Sequence, residues 1–276
     1  MRKLLRANLF RLGRDKIFAA ASLLMFLIGA ALPVIHYLDK REYATGWTPD
    51  STAFVFVFLV PVLLAVFSSL FIGSEYSDGT LRNKLIAGHR RCSCYLANLI
   101  TCIIAGILLG ISYSVPHTCL GIVLLGSFQT TPLQLLLYAG LSIALSMAFA
   151  SLYTLLSIGC QSKAYAAAGC ILLSFGLLFA GVHIVSALNE PEYYQAYSYT
   201  ENGVTVSEEE SRNPNYLYGA KRQMYEFLYD FTPGGQAIQL ANAEAAHPLL
   251  LFVYDGMILL AATGSGLLMF RKRNLK

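Results

Sequence analysis

The apolar positions of this chain do not alternate with polar ones; they gather into long unbroken runs separated by short polar islands. Runs of this kind occupy residues 17–38, 51–73, 95–115, 133–158, 164–188 and 248–270. A helix rises ~1.5 Å per residue, so about 20 apolar residues cross a hydrocarbon core of ~30 Å, and each run is long enough. The pattern predicts six membrane-spanning helices. Pro33 is expected to kink the first near its outer end, and Pro61 lies within the second. A retained first span is expected rather than a cleaved leader, because no small-residue cleavage site followed by a soluble domain appears. Pro116 and His117 are expected to end the third span and begin an outer connection whose apolar tail runs over residues 119–128.

The islands have patterns of their own. Residues 1–16 interleave Arg2, Lys3, Arg6, Arg11, Arg14 and Lys16 with Leu4, Leu5, Leu9, Phe10 and Leu12, which predicts an amphipathic helix in the membrane interface with its cations near anionic headgroups, a frayed basic tail being the alternative. Residues 189–247 form the one sizeable hydrophilic region, with nine acids and three bases. Tyr216, Tyr218, Tyr225, Phe227, Tyr229 and Phe231 make it aromatic enough to lie against the membrane surface. A helix over residues 221–229, a break at Pro233-Gly234-Gly235 and a second helix over residues 236–246 predict a helical pair re-entering the outer leaflet, with a disordered acidic cap as the alternative.

Composition agrees with a membrane chain. Of the 276 residues, 56% are hydrophobic and 13% charged, and the mean hydropathy is +0.55, well outside the range of soluble domains. The fold class expected is an all-α polytopic membrane protein, one transmembrane domain over residues 1–276, with an interfacial helix at 1–16, spans within 17–188, an extracellular segment at 189–247 and a last span at 248–270. Charge orients it. Fifteen of the twenty Lys and Arg fall on the termini, the second-to-third loop and the fourth-to-fifth loop, and Arg271-Lys272-Arg273 closes the last span. That asymmetry predicts a multi-pass plasma-membrane protein with both termini cytoplasmic. The net charge of +4 is small and dispersed among these segments, which argues against a nucleic-acid partner and for membrane lipid.

Little here supports covalent chemistry. Cys92 and Cys94 stand beside His89, but no second ligand cluster at metal-binding spacing accompanies them, so no metal site is expected. The chain has no GxxxxGK[ST] loop and no HExxH helix, and Gly264-Ser265-Gly266 reads as small residues that let helices approach. Two ionisable groups within spans, Asp255 and His183, are candidates for a translocation path or a proton-linked site; the alternative is a carboxylate and an imidazole bonded near the outer interface.

The most distinctive island follows the second run, from Gly73 to Gly88. Asp78 is placed to cap a short helix, Gly79 permits a change of direction, and Leu81 and Leu85 share a face at i, i+4 while Arg82 and Asn83 point elsewhere. Glu75 and Arg82 are expected to pair and fix the helix angle. On the residues alone, an ordinary basic loop explains the island equally well.

The run Glu75-Tyr76-x-x-Gly79-Thr80-x-Arg82-x-x-Leu85, with a basic N-terminal helix, six spans and a long segment before the last, resembles the ABC-2 type permeases, the membrane subunits of one class of ATP-binding-cassette exporters. The resemblance implies a permease without enzymatic activity of its own, driven by a separate cytoplasmic ABC ATPase that binds the ATP and Mg, with no cofactor held by this chain. It implies pairing with a second permease subunit about the substrate path. It places Glu75, Gly79, Thr80 and Arg82 at the ATPase-coupling interface, with Tyr76, Asp78 and Lys84 as neighbours. The likeness extends more loosely to bacterial permeases of antimicrobial-peptide export or immunity, whose cationic cargo the acidic outer segment would attract. An ion-coupled secondary transporter and a non-transporting sensor or assembly subunit are the alternatives.

Overall fold

A computed structural model of the chain describes residues 1–160, 162–201, 204–208 and 210–272, with residues 197–201 and 204–208 described by their backbone alone. Gln161, Glu209 and Arg273, which entered the charge and loop expectations, lie outside the described residues, as do the side chains of Glu201 and Glu208. Ten helices account for most of the described chain. They are α1 (Arg2–Leu12), α2 (Lys16–Tyr43), α3 (Phe56–Ser77), α4 (Thr80–Ile86), α5 (Arg91–Leu125), α6 (Pro132–Gly159), α7 (Lys163–Leu188), α8 (Gly219–Phe231), α9 (Pro233–Ala241) and α10 (Pro248–Lys272), with a 3-10 turn at Pro49–Thr52 ahead of α3. Among the described residues, six of these helices are long and apolar enough to cross a membrane, and they coincide with the six apolar runs.

Packing follows from where the small residues sit. Gly29 brings α2 against the backbone of α5, where a Cβ would stand 2.3 Å from the Tyr113 carbonyl oxygen. Gly266 of α10 leaves room for the ring of Tyr95 on α5. Helix α6 packs on both α3 and α10 and carries Leu141, Leu145, Phe149 and Tyr153 into the core to which Phe67 and Tyr113 also belong. By contrast, α2 and α7 leave Leu23, Leu27, Leu172 and Phe179 exposed, the outward apolar surface that a helix shows to lipid.

The third span departs from expectation. Helix α5 does not end at Pro116 but continues to Leu125, so at ~1.5 Å per residue it is roughly 50 Å long. Proline removes one backbone bond, yet this turn is held from the side. The Tyr113 hydroxyl donates to the Thr52 carbonyl at 2.6 Å, the Thr52 hydroxyl and His117 Nε2 lie 3.0 Å apart, and Gly121 packs on Pro49. The carboxylate of Asp50 then accepts the amides of Gln129 and Thr130 at 2.8 and 3.0 Å, fastening the α5–α6 turn to the same 3-10 segment.

The segment between α7 and α10 begins with two short antiparallel ribbons, β1 (Tyr193–Tyr194) with β4 (Ser211–Arg212) and β2 (Tyr197–Glu201) with β3 (Val204–Glu208), which the expected helical reading did not include. Asn213 knots their base, donating to Glu190 and the Pro191 carbonyl while accepting from Tyr194. The helical pair follows as α8 and α9, with one correction. The break falls at Thr232, and Pro233-Gly234-Gly235 is the first turn of α9, which ends at Ala241 rather than 246. Proline at the first helical position loses nothing, since that amide has no partner within the helix, and the Thr232 hydroxyl caps the turn by accepting the Gly235 amide. Helix α9 is buried along its whole length against α7, and Gly181 faces Gly234 where any side chain would collide.

Candidate functional site

At the end of the bundle opposite α8 and α9, helix α1, the end of α3, α4, the start of α5 and the end of α10 come together. Most of the chain's bases are here. Helix α1 turns Leu4, Asn8 and Leu12, at i, i+4 and i+8, into the bundle and packs on α5. The amphipathic helix expected here is present, and the buried part of its apolar stripe meets α5; Leu5 and Leu9 on the flank are only partly covered. Each of these buried stripes holds one amide, Asn8 on α1 and Asn98 on α5, and the Asn8 amide donates to Asn98 Oδ1 at 2.7 Å.

Glu75 lies beside that pair, 1% exposed. Its Oε1 accepts from Arg11 Nη1 at 2.9 Å and Lys84 Nζ at 2.5 Å, and its Oε2 accepts from Asn98 Nδ2 at 2.9 Å. Lys84 also donates to Asn8 Oδ1 at 3.2 Å. Arg11 donates to the Phe71 carbonyl and stacks 3.5 Å above the Phe71 ring. One carboxylate thus joins four helices, α1 through Arg11, α3 through itself, α4 through Lys84 and α5 through Asn98. Such a charge is tolerated away from water only when its lone pairs are filled and its sign is matched, and here both conditions hold. With two cations to one anion the cluster keeps an excess positive charge.

The remaining motif residues divide by exposure. Gly79 adopts φ +67°, the left-handed conformation that lets the chain reverse between α3 and α4 at little cost. Tyr76 donates its hydroxyl to the Ile158 carbonyl at 3.1 Å, tying α3 to the end of α6. Leu81 is buried and Leu85 half-buried, the shared face expected. Two expectations fail. Asp78 does not cap α4, whose N-cap is Gly79 without a side-chain bond; its carboxylate instead accepts from Ser77 at 2.9 Å, because the left-handed glycine turns it away from the helix axis. Glu75 does not pair with Arg82, since Arg82 falls on the opposite side of α4 from Lys84 and is exposed. Thr80 is exposed too, although its hydroxyl bonds the Glu75 carbonyl at 3.3 Å. Arg82, Asn83 and Ile86, the last 74% exposed, form the outward face of α4.

Sequence reasoning missed Arg11, Asn8, Asn98 and Ile86. The signal for the asparagines was present as a single amide in each of two apolar stripes; for Arg11 there was none, since five other bases surround it. Asp255 and His183 are not brought together. Asp255 sits on the inward face of α10, 2% exposed, with both carboxyl oxygens lacking a partner among the described residues. His183 is exposed on α7, which packs on α3 and α9. No group of three or more metal-ligating side chains occurs among the described residues.

Comparison with known families matches this architecture. The sequence profile described as ABC-2 family transporter protein matches residues 4–180, which takes in most of α1, the first four spans, most of the fifth and the whole Glu75 cluster. No curated protein matches the chain at a significant level. Because the profile covers well over half the sequence and includes the site, the chain belongs to the ABC-2 family of transporter proteins and is a multi-pass membrane permease.

Proposed function

We propose that the chain is the path-forming half of an ATP-driven exporter, with its basic end in the cytoplasm and a separate ABC ATPase docked beneath α4. The observation that carries this reading is the Glu75 cluster. It makes α1, α4 and the ends of α3 and α5 one rigid piece, so that a push on α4 is delivered to two spans at once. On this reading Glu75, Tyr76, Gly79 and Lys84 hold the piece together, while Asp78, Thr80, Arg82 and the apolar Ile86 face the ATPase. ATP and magnesium belong to that partner. A second permease subunit, the same chain or another, completes the path. The acidic outer segment supports a cationic peptide or another amphipathic compound as cargo, since a cluster of one sign concentrates the opposite one.

Co-expression with the cognate ATPase tests the reading. Arg82→Ala and Ile86→Ser, both at exposed positions, should leave insertion and thermal stability within about 0.5 kcal/mol of wild type. Both should cut cargo-stimulated ATP hydrolysis severalfold. Undiminished hydrolysis and transport in both variants would remove α4 from the coupling surface.

A further inference from the structure

Beside the coupling end, a slot of about 400 Å³ runs between α2 and α3. Ile17, Ala20, Ala21 and Leu24 form one wall, Leu63 and Val66 the other, and Lys16 stands at its mouth. We propose that this slot holds one acyl chain of an anionic phospholipid of the inner leaflet, with Lys16 on the phosphate. The assignment to the inner leaflet rests on the reading that the basic end is cytoplasmic.

Three observations select this occupant. The first is depth. From Lys16 to Leu24 the helix rises ~12 Å, within the ~15 Å of a single leaflet, so the slot begins at headgroup level and stops short of the midplane. The second is chemistry, because every residue below the mouth is apolar and two are alanines, which leaves room for a hydrocarbon chain and nothing for a polar cargo to bond. The third is charge. Lys16 makes no ion pair among the described residues, and the acids of this corner are already engaged. Asp15 caps α2 by accepting the amides of Ile17 and Phe18, each at 2.9 Å, and Glu75 is buried under Arg11 and Lys84. Arg2, Lys3 and Arg6 line a second hollow on α1 and add to the positive field at the same end of the bundle. A second copy of this chain, related by twofold symmetry and meeting the slot, would bring a like-charged Lys16 to Lys16. A phosphate fits where that contact would repel.

The test is lipid retained on the purified full chain. The protein is reconstituted with equal phosphatidylglycerol and phosphatidylcholine, extracted in mild detergent, and weighed intact by native mass spectrometry. Wild type should retain phosphatidylglycerol over phosphatidylcholine by about fivefold, the effect of one cation near an anionic headgroup. Lys16→Gln should still carry lipid but lose the preference. Ala20→Phe, and the smaller Ala20→Leu, should retain neither lipid, because the new side chain occupies the slot. Lys16 and Ala20 are both exposed, so folding is not at stake in these variants. Equal retention of the two lipids by wild type, or wild-type retention in both Ala20 variants, overturns the proposal. Since the readout is bound lipid and not orientation or transport, that failure would leave the permease reading intact.

Discussion

Glu75→Gln is the most informative single change, because it keeps the shape of the side chain while removing its charge and turning one acceptor oxygen into a donor amid Arg11, Lys84 and Asn98, all of which donate. In the wild type, one anion, 1% exposed, answers two cations whose side chains are 34% exposed for Arg11 and 18% for Lys84. Deleting one partner of a fully buried pair costs about 3–5 kcal/mol, since the other charge is stranded. Here the stranded charges reach some water, so the expected loss is smaller, roughly 2–4 kcal/mol. Lys84→Met removes a charge of the other sign. It leaves Glu75 with Arg11 and Asn98 and brings the cluster from a net positive charge to neutrality, at a cost of about 1 kcal/mol or less. The double variant should be more stable than Glu75→Gln alone, because only one cation then lacks its anion. Apparent melting temperatures of the four proteins in one detergent order these effects. Tryptic cleavage at Arg14 and Lys16 gives a local check, and should quicken in Glu75→Gln as α1 detaches. A Glu75→Gln protein that melts with wild type, or falls below Lys84→Met by no measurable margin, would refute the claim that this carboxylate holds the helices together.

Other consequences follow from close approaches and orphaned groups. Gly29→Ala would put a Cβ 2.3 Å from the Tyr113 carbonyl oxygen, backbone that cannot swing aside, so α2 must part from α5 and the yield of monodisperse protein should collapse. Gly256→Ala, with open space around it, serves as the control and should be neutral in the same purification. Asp255→Leu removes a buried carboxyl group that has no partner among the described residues, and should stabilise the isolated chain by about 1–3 kcal/mol in thermal melts. If transport survives that change, Asp255 is a structural burden with no part in the path.

The spans were legible because a hydrocarbon solvent requires unbroken apolar runs, and no tertiary detail enters that requirement. The third span shows where this ends. Pro116 carries a strong local signal for termination, but the bonds that override it come from Thr52 and Pro49 on another segment, and no local pattern encodes them. The ribbons ahead of α8 were lost for a related reason, since nothing within either short segment says that it will pair with the other.

The motif after the second span is the sharper case. Its residues are contiguous, so the sequence presents them as one surface. Folding sorts them by the left-handed turn at Gly79 and the period of α4, which send Glu75 and Lys84 inward and Arg82 outward. Glu75 and Arg82 are opposite charges seven residues apart, and pairing them is natural on paper. What decides otherwise is Arg11, sixty-four residues upstream of Glu75, brought there because the stripe Leu4, Asn8 and Leu12 binds α1 to α5. A carboxylate answered from below by Arg11 and from α4 by Lys84 has no need of Arg82. That cation stays exposed, where the proposed function sets it against the ATPase.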